Sequence, residues 1–251
     1  NSKADFQFDL EKGPDVERMI EGNAILEALE DAIQNEGLEE TVFIVRSNKR
    51  ANLYNQQIRQ RILFLETELS VGDQLMVVKN NYFWLDPESA PGFIANGDLI
   101  KILRIIEHKE IYGFRFAKVE VDMVDYPDEK PFETTLLLDT LSSERPSLSY
   151  EEGNQLYQEV MEDYQHLTTK YKRFMAVKND PYFNALQVKY SYAITCHKSQ
   201  GGQWKKVFVE QPYLPDGPSI PYYRWLYTAM TRAKAHLYLI GFGKEYFSKE
   251  E

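Results

Sequence analysis

The stretch that decides the fold covers residues 190–206 and reads Tyr-Ser-Tyr-Ala-Ile-Thr-Cys-His-Lys-Ser-Gln-Gly-Gly-Gln-Trp-Lys-Lys. The apolar residues 207–209, Val-Phe-Val, follow at once. This order predicts a strand, a polar loop with two glycines, and a second strand. Polar loops at the ends of buried parallel strands are where α/β proteins bind their ligands. Glycines allow the backbone to approach a large ligand, and hydroxyl, amide and lysine groups suit phosphates and sugars.

Two segments together carry a family resemblance. Residues 195–201, Thr-Cys-His-Lys-Ser-Gln-Gly, with Gln203, resemble motif V of superfamily 1 helicases. Residues 226–234, Leu-Tyr-Thr-Ala-Met-Thr-Arg-Ala-Lys, precede an apolar run at 237–240 and resemble motif VI. Because both segments occur in the family's order and spacing, the resemblance is specific. It is nearest to the RecD-like branch of the UvrD/RecD group.

The resemblance implies roles for individual residues. Arg232 resembles the arginine finger, which stabilises the charge that develops during ATP hydrolysis. An ion pair of Arg232 with Asp216 or Glu210 is the structural alternative. The implied nucleotide-binding residues are Gly201, Gln203 and Arg232, and the implied DNA-binding residues are Thr195, His197, Lys198, Ser199, Gln200, Arg46 and Asn48.

The ribose contact of Gln203 and the relative placement of Arg232 and Thr195 each need a further statement. Many relatives have a glutamate where this chain has Gln203; a glutamine still accepts a hydrogen bond from a ribose hydroxyl but lacks the charge. The motor interpretation also places Arg232, Thr195 and His197 on neighbouring parts of one sheet edge, open toward a companion domain.

The chain contains no Gly-x-x-x-x-Gly-Lys-Ser/Thr sequence, and Asp128-Glu129 lies in a proline-flanked turn, so neither Walker motif is present. We therefore expect the C-terminal part of a longer protein. The resemblance implies an ATP-dependent DNA helicase that translocates 5′ to 3′ on single-stranded DNA, in DNA repair or recombination. ATP and Mg²⁺ would be bound mainly by an upstream RecA-like domain, and this fragment alone would be inactive.

Composition narrows the class of protein. The chain has 251 residues, and an apolar content of 43% indicates a globular protein. Its formal net charge of −10 argues against a protein whose whole surface is basic. Residues 166–206 nevertheless hold eight Lys and Arg against one acidic residue, whereas residues 1–165 hold 16 basic and 33 acidic residues. This asymmetry favours a surface that faces a polyanion, although a solvated basic face is the alternative.

The single cysteine, Cys196, excludes an internal disulfide and a cysteine-rich zinc site, and we read it as a small apolar filler. No metal site is predicted. No apolar run reaches the roughly 20 residues of a membrane span, so no membrane partner and a cytoplasmic location are expected.

The predicted fold class is α/β: a RecA-like parallel-sheet domain of the P-loop NTPase type, the second motor domain, with an inserted small SH3-like β-barrel. The RecA-like domain would comprise residues 1–70 and 186–251, the barrel residues 71–140, and a helical connector residues 141–185. The barrel is predicted from strands at 74–79, 92–95, 99–106, 112–124 and 132–138. The SH3-like label follows from the resemblance to RecD-like helicases.

Periodicity predicts the other elements. Helices are expected at 15–35, 51–65 and 223–231, and one long helix is expected from a capping box at 149–152 to residue 178. Strands are expected at 41–45, 206–210 and 236–241, and Asn96-Gly97 predicts a two-residue type I′ turn. Arg46, Asn48 and Arg50 follow the strand predicted at 41–45, and the resemblance makes them candidates for contact with nucleic acid or for a domain interface. An ordinary role as surface charges is the nearly equal alternative.

Two segments keep alternative interpretations. Residues 79–84, Lys-Asn-Asn-Tyr-Phe-Trp, suit a surface on which single-stranded bases stack, or equally an aromatic plug of the core. The basic cluster at 170–173 suits DNA contact or a favourable helix dipole. For the chain as a whole, the alternative function is a non-motor module that binds single-stranded nucleic acid.

Overall fold

The computed structural model describes residues 14–247, and they separate into two compact units. The first unit comprises residues 14–64 and 192–247 of the described chain, and the second is Leu65–Ser191. The strands are β1 Val16–Met19, β2 Thr41–Val45, β3 Gln74–Val77, β4 Leu99–Ile111, β5 Phe114–Met123, β6 Phe132–Leu137, β7 Leu186–Tyr190, β8 Ala193–Thr195, β9 Trp204–Glu210 and β10 Ala233–Ile240. The helices are α1 Gly22–Glu36, α2 Asn48–Arg61, α3 Tyr150–Asp163, α4 Lys170–Lys178 and α5 Ile220–Met230.

The first unit contains a five-stranded sheet in the order β1-β10-β9-β2-β8, in which every neighbouring pair is parallel. β2 is buried along its whole length, as its continuous apolar run predicts. Phe43, Phe208 and Tyr238 stack across three neighbouring strands, with ring centroids 5.9 and 4.2 Å apart. The parallel sheet with its connecting helices fits a RecA-like domain, so the predicted fold class is confirmed.

The prediction of one helix over 15–35 is wrong at its beginning. Residues Val16–Met19 form β1, which pairs with Leu237–Ile240 of β10, and α1 begins only at Gly22. A four-residue edge strand carries too little periodicity to separate from a following helix, and its pairing partner lies more than 200 residues away in the sequence.

The second unit contains a closed five-stranded barrel in the order β3-β4-β5-β6-β7. A barrel is confirmed, but its strands are not the predicted set: residues 92–95 contribute only an isolated bridge between Asn81 and Ile94. The fifth strand of the barrel is β7 instead. The sequence analysis placed β7 in the RecA-like domain, as part of residues 186–251. β7 pairs with β6 and β3, and without it those two strands would be open edges. The chain enters the parallel sheet only at β8.

The tight turn of the barrel lies at Tyr112-Gly113 and not at Asn96-Gly97. Tyr112 and Gly113 have φ values of 60° and 73° between the paired residues Ile111 and Phe114, as a two-residue type I′ hairpin requires. In the Asn96-Gly97 pair only Gly97 has a positive φ. The type I′ prediction at Asn96 is therefore wrong, and the strand predicted at 112–124 is present as β5 but begins two residues later, at Phe114. The Tyr112 hydroxyl donates a hydrogen bond to Asp163, which holds this bulky residue in the turn.

The predicted long helix is two helices, α3 and α4. The capping box at the start of α3 is confirmed, since Ser149 and Glu152 bond each other's backbone N–H groups. Leu156, Val160 and Val177 all pack in the core cluster that contains Phe114 and Phe116. A straight 30-residue helix would be about 45 Å long and could not bring both halves onto this cluster.

Candidate nucleotide and nucleic-acid site

Two sequence-predicted segments meet at the carboxyl edge of the parallel sheet. Val45, the last residue of β2, is paired with Thr195, the last residue of β8. The Cys196 N–H donates to the Val45 carbonyl oxygen at 3.1 Å. Arg46 and His197, which follow these strands, are both exposed. The loop before α2 and the loop after β8 therefore offer a cation and an imidazole at neighbouring points of one edge.

β8 is held in place by a buried amide that the sequence analysis missed. Asn55 Nδ2 donates to the Ala193 carbonyl oxygen at 2.8 Å, and the Ala193 N–H donates to Asn55 Oδ1 at 2.7 Å. The side chain thus satisfies both backbone groups of Ala193, as a further strand would. Asn55 is 2% exposed, and a polar residue on the apolar face of a predicted helix is the signal that could have identified it.

The loop from residue 196 to residue 203 folds as consecutive turns. The Thr195 carbonyl accepts hydrogen bonds from the Lys198 and Ser199 N–H groups at 2.8 and 3.2 Å, and the Gly202 N–H donates to the Ser199 carbonyl at 3.2 Å. The Ser199 hydroxyl donates to the Cys196 carbonyl at 2.8 Å. Because Ser199 is fully buried, the prediction that it contacts DNA is corrected: its hydroxyl holds the loop in shape.

Arg232 lies beside the far end of this loop. Its Nη1 donates to the Gly202 carbonyl oxygen at 3.2 Å, its Nε donates to the Thr228 carbonyl at 3.0 Å, and its Nη2 donates to Thr231 Oγ1 at 3.1 Å. A guanidinium has five N–H groups, so these bonds leave two for another acceptor. The residue is partly exposed. The donor set therefore fits a phosphate oxygen.

The expectation that Arg232 and Thr195 share one edge is wrong. Arg232 immediately precedes β10, and its carbonyl accepts the Trp204 N–H at the start of β9, so it lies at the amino edge of the sheet. Thr195 ends β8 at the carboxyl edge. Because β8, β2, β9 and β10 are all parallel, a residue that precedes a strand and a residue that follows a strand lie at opposite edges of the sheet. The glycine-containing loop runs from one edge to the other.

A side chain at Gly202 would displace the Trp204 ring at the Arg232 end of the loop. A Cβ atom on Gly202 would lie 2.4 Å from Trp204 Cη2 and within 3.0 Å of two more atoms of that ring. Gly201 has a φ of 89°, which favours glycine. Gln200, Gly201 and Gln203 are exposed. Their backbone and amide groups are therefore accessible beside the guanidinium.

Burial changes the acid–base properties of two side chains in the loop. Burial raises the pKa of the Cys196 thiol, and the hydrogen bond with Ser199 and the nearby Arg232 charge oppose that rise. The thiol is inside the protein, where its Sγ contacts the Trp225 carbonyl oxygen at 3.5 Å, which agrees with a filler role. Burial lowers the pKa of Lys198, so its ammonium would gain from an anion that comes near.

Arg50, the third candidate in the loop after β2 and the first turn of α2, is ion-paired with Glu210. Arg50 donates through Nε and Nη2 to the carboxylate of Glu210, and the Tyr54 hydroxyl donates to the same carboxylate at 2.9 Å. Burial and the Glu210 charge raise the pKa of Tyr54 to about 12. Glu210 therefore pairs with Arg50, and the alternative pairing of Glu210 with Arg232 is not formed. Asn48, also predicted here, is the partly buried first residue of α2.

Within residues 14–247, no helix is long and apolar enough to cross a membrane. No group of three or more His, Cys, Asp and Glu side chains in the same part of the chain is arranged to hold a metal ion.

The fold and the site together define a class of protein: one with a RecA-like sheet, a loop that joins its two edges and an arginine at the end of that loop. Residues 190–240 match the family model of the UvrD-like helicase C-terminal domain. This match confirms the resemblance to superfamily 1 helicases that the two motifs indicated. The RecD-like branch stays a prediction. No curated protein matches the chain.

Solved structures with partial likeness are Pif1 helicases. That of Candida albicans is 13% identical, with a TM-score of 0.42 over 84% of this chain and 47% of its own. A Bacteroides Pif1 in complex with ADP-AlF3 and single-stranded DNA is 14% identical, with a TM-score of 0.43 over 92% and 52%. A further structure of Bacteroides Pif1, bound to single-stranded DNA, is 14% identical, with a TM-score of 0.44 over 90% of this chain and 51% of its own. The chain spans about half the length of these proteins.

Proposed function

We propose that the chain is the C-terminal motor portion of an ATP-dependent DNA helicase that couples ATP hydrolysis to movement along single-stranded DNA. One observation carries the proposal: the loop from Cys196 to Gln203 connects the exposed groups at the carboxyl edge with the guanidinium at the amino edge. A ligand change at one end of such a loop can alter the other, because its turns are joined by backbone hydrogen bonds.

In this proposal the two ends have separate tasks. Thr195, His197, Arg46 and Asn48 contact the DNA strand, and Lys198 faces a phosphate. Gln200 lies between the two sites, and Ser199 only holds the loop. Phosphate contacts from such groups position a strand without reading its sequence.

At the other end, Gly201, Gln203 and Arg232 bind nucleotide held by an upstream RecA-like domain of the same protein, with Mg²⁺ on that domain. ATP supplies the γ-phosphoryl group whose transfer drives movement. Arg232 directs its two remaining N–H groups at the phosphate, where developing charge is stabilised. A 5′ to 3′ direction, a role in DNA repair or recombination and a cytoplasmic location complete the proposal.

An ATPase assay tests the motor proposal. The 251-residue chain alone should hydrolyse ATP negligibly, because neither Walker motif is in its sequence. The longest encoded form of the protein should hydrolyse ATP, and an oligo(dT) strand should increase the rate. Hydrolysis by the 251-residue chain at ordinary helicase rates, or a longest form that DNA does not stimulate, would contradict it.

The second candidate is a non-motor module that binds single-stranded nucleic acid, which the excess of basic residues over 166–206 favours. It predicts tight, salt-sensitive binding by the 251-residue chain alone, because neutralised phosphates release counterions. Fluorescence anisotropy of labelled oligo(dT) across a salt series measures this. Unmeasurable affinity at low salt would exclude the module.

A further inference from the structure

The second unit contains a groove that the proposed motor function does not use. It has a volume of about 700 Å³ and lies between the segment at residues 79–83 and the helices α3 and α4. We call it the α3 groove. Its floor includes Leu156 and Ala185 of the core cluster that supports the barrel. The floor of the groove therefore belongs to the packed core of the unit.

Exposed aromatic rings lie at the groove. Tyr82 is 70% exposed and Tyr150 is 86% exposed, and both line it. Phe83 and Tyr157 add partly buried rings to the same lining. Large exposed rings clustered around an apolar floor are the mark of a binding surface, and tyrosine is enriched at protein interfaces.

A glycine in α3 is unexplained by the fold itself. Gly153 lies inside the helix and lines the groove, and a Cβ atom there would meet nothing within 4 Å. Packing and backbone geometry therefore both permit a larger residue at this position. Glycine inside a helix is also less favourable than alanine, so the fold alone gives no reason for it. The missing side chain keeps the groove open at this point, as a close-approaching ligand would require.

The polar lining suits a polypeptide backbone. Asn154 and Asn179 line the groove, and among residues 14–247 no hydrogen bond is formed by either side-chain amide. Each amide offers both a donor and an acceptor, which is what a passing peptide group needs. Lys79 and Lys178 are the charged lining residues within that range, and neither is ion-paired there. A carboxylate on the ligand would complement them.

The net charge of the second unit favours a polypeptide over a polynucleotide as the ligand of the α3 groove. Residues 65–191 contain 22 Asp and Glu against 13 Lys and Arg, a net charge of −9. A polynucleotide carries a charge at every residue and would be disfavoured by the net negative charge of this unit, against which α4 sets the basic residues Lys170, Lys172 and Arg173 beside the groove. A peptide with one or two carboxylates gains the two lysines and avoids most of that repulsion.

We infer that the α3 groove binds an extended segment of a partner protein, with an aromatic or proline side chain against Tyr82 and Tyr150 and a neighbouring carboxylate at Lys79 and Lys178. The inference does not rest on the motor proposal, since every residue that carries it lies in the second unit.

The test begins with a phage-displayed library of random nine-residue peptides selected on the 251-residue chain. Selected peptides should share an aromatic residue or proline next to Asp or Glu. Their affinities are then measured by fluorescence anisotropy for the wild type and for Gly153→Leu, whose side chain would fill the groove. We expect at least a tenfold loss for Gly153→Leu, with a melting temperature at or above that of the wild type.

Charge variants and a nucleic-acid arm complete the test. Lys79→Ala/Lys178→Ala should weaken peptide binding about fivefold or more and reduce its salt dependence, whereas Lys101→Ala/Lys130→Ala, two exposed lysines of the same unit, should change it less than twofold. The inference is overturned if no such peptides are selected, or if Gly153→Leu binds them as the wild type does. It is also overturned if twelve-residue oligo(dT) binding, but not peptide binding, is lost in Gly153→Leu.

Discussion

Arg232 and Gly202 are joined by a hydrogen bond of 3.2 Å from the Arg232 Nη1 to the Gly202 carbonyl oxygen. The two residues are 30 positions apart in the sequence, and Gly202 ends the turns that begin at Thr195. The bond ties the guanidinium to the loop whose other end reaches the carboxyl edge of the sheet. Disturbing Gly202 should therefore disturb Arg232 without any change to the arginine itself.

The Gly202→Ala variant tests the steric part of this relationship. Because the added methyl group would overlap the Trp204 ring, we expect a loss of about 1–3 kcal/mol in the free energy of unfolding. In the Trp204→Leu background the same change should cost less than about 0.5 kcal/mol, since the obstructing ring is absent. Urea unfolding of the four proteins measures the coupling. Equal losses in both backgrounds would show that the ring is not the obstacle.

Asn55→Ala should destabilise the parallel sheet at β8. The variant leaves the N–H and C=O groups of Ala193 without their partner, at about 1–3 kcal/mol for each group. We expect a total loss of about 2–4 kcal/mol in the free energy of unfolding, measured in urea. Gln56→Ala, at an exposed position of the same helix, is the control and should change it by less than about 0.5 kcal/mol. Similar values for the two variants would argue against the amide's role.

The sequence revealed the parallel-sheet unit better than the barrel, for physical reasons. Buried strands such as β2 are continuously apolar, and the residues around Thr195 and Arg232 have a recognisable pattern. Asn55 could not be assigned a role because its partner, Ala193, lies 138 residues away. β7 is buried along most of its length, as a strand of the parallel sheet would be, and only its pairing with β3 and β6 places it in the barrel, so it was assigned to the wrong sheet. Tyr112 occupies a positive-φ turn position that glycine or asparagine usually marks.

Tyr54 provides a test in alkaline solution. Burial and Glu210 raise its pKa from 10.0 to about 12, so the folded protein keeps the phenol proton more firmly than the unfolded chain. The stabilisation is complete below pH 10 and is lost as pH rises through about 12. Between these values the free energy of unfolding should fall more steeply for the wild type than for Tyr54→Phe, by up to about 1.4 kcal/mol per pH unit. Urea titrations at pH 9 to 11.5 measure both slopes, and parallel slopes would contradict the assignment.

Two glycines of the second unit should respond to alanine in opposite directions. Gly113 has a φ of 73° in the β4–β5 turn, so Gly113→Ala should lower the free energy of unfolding by about 1–2 kcal/mol. Gly153 lies in a helix with open space at its Cβ position, so Gly153→Ala should raise it by about 0.5–1 kcal/mol. Thermal and urea unfolding of both variants provide the comparison. A change of the same sign in both would contradict the backbone argument.

The most direct test of the motor account is the DNA-stimulated ATPase rate of Arg232→Ala in the longest encoded form of the protein. Arg224→Ala, an exposed arginine of α5, is the matched control. The account predicts a loss of about 10³-fold or more in kcat for Arg232→Ala, with single-stranded DNA affinity within threefold of the wild type and Arg224→Ala near wild-type activity. A kcat for Arg232→Ala within tenfold of the wild type would contradict the arginine-finger role and, with it, the motor account.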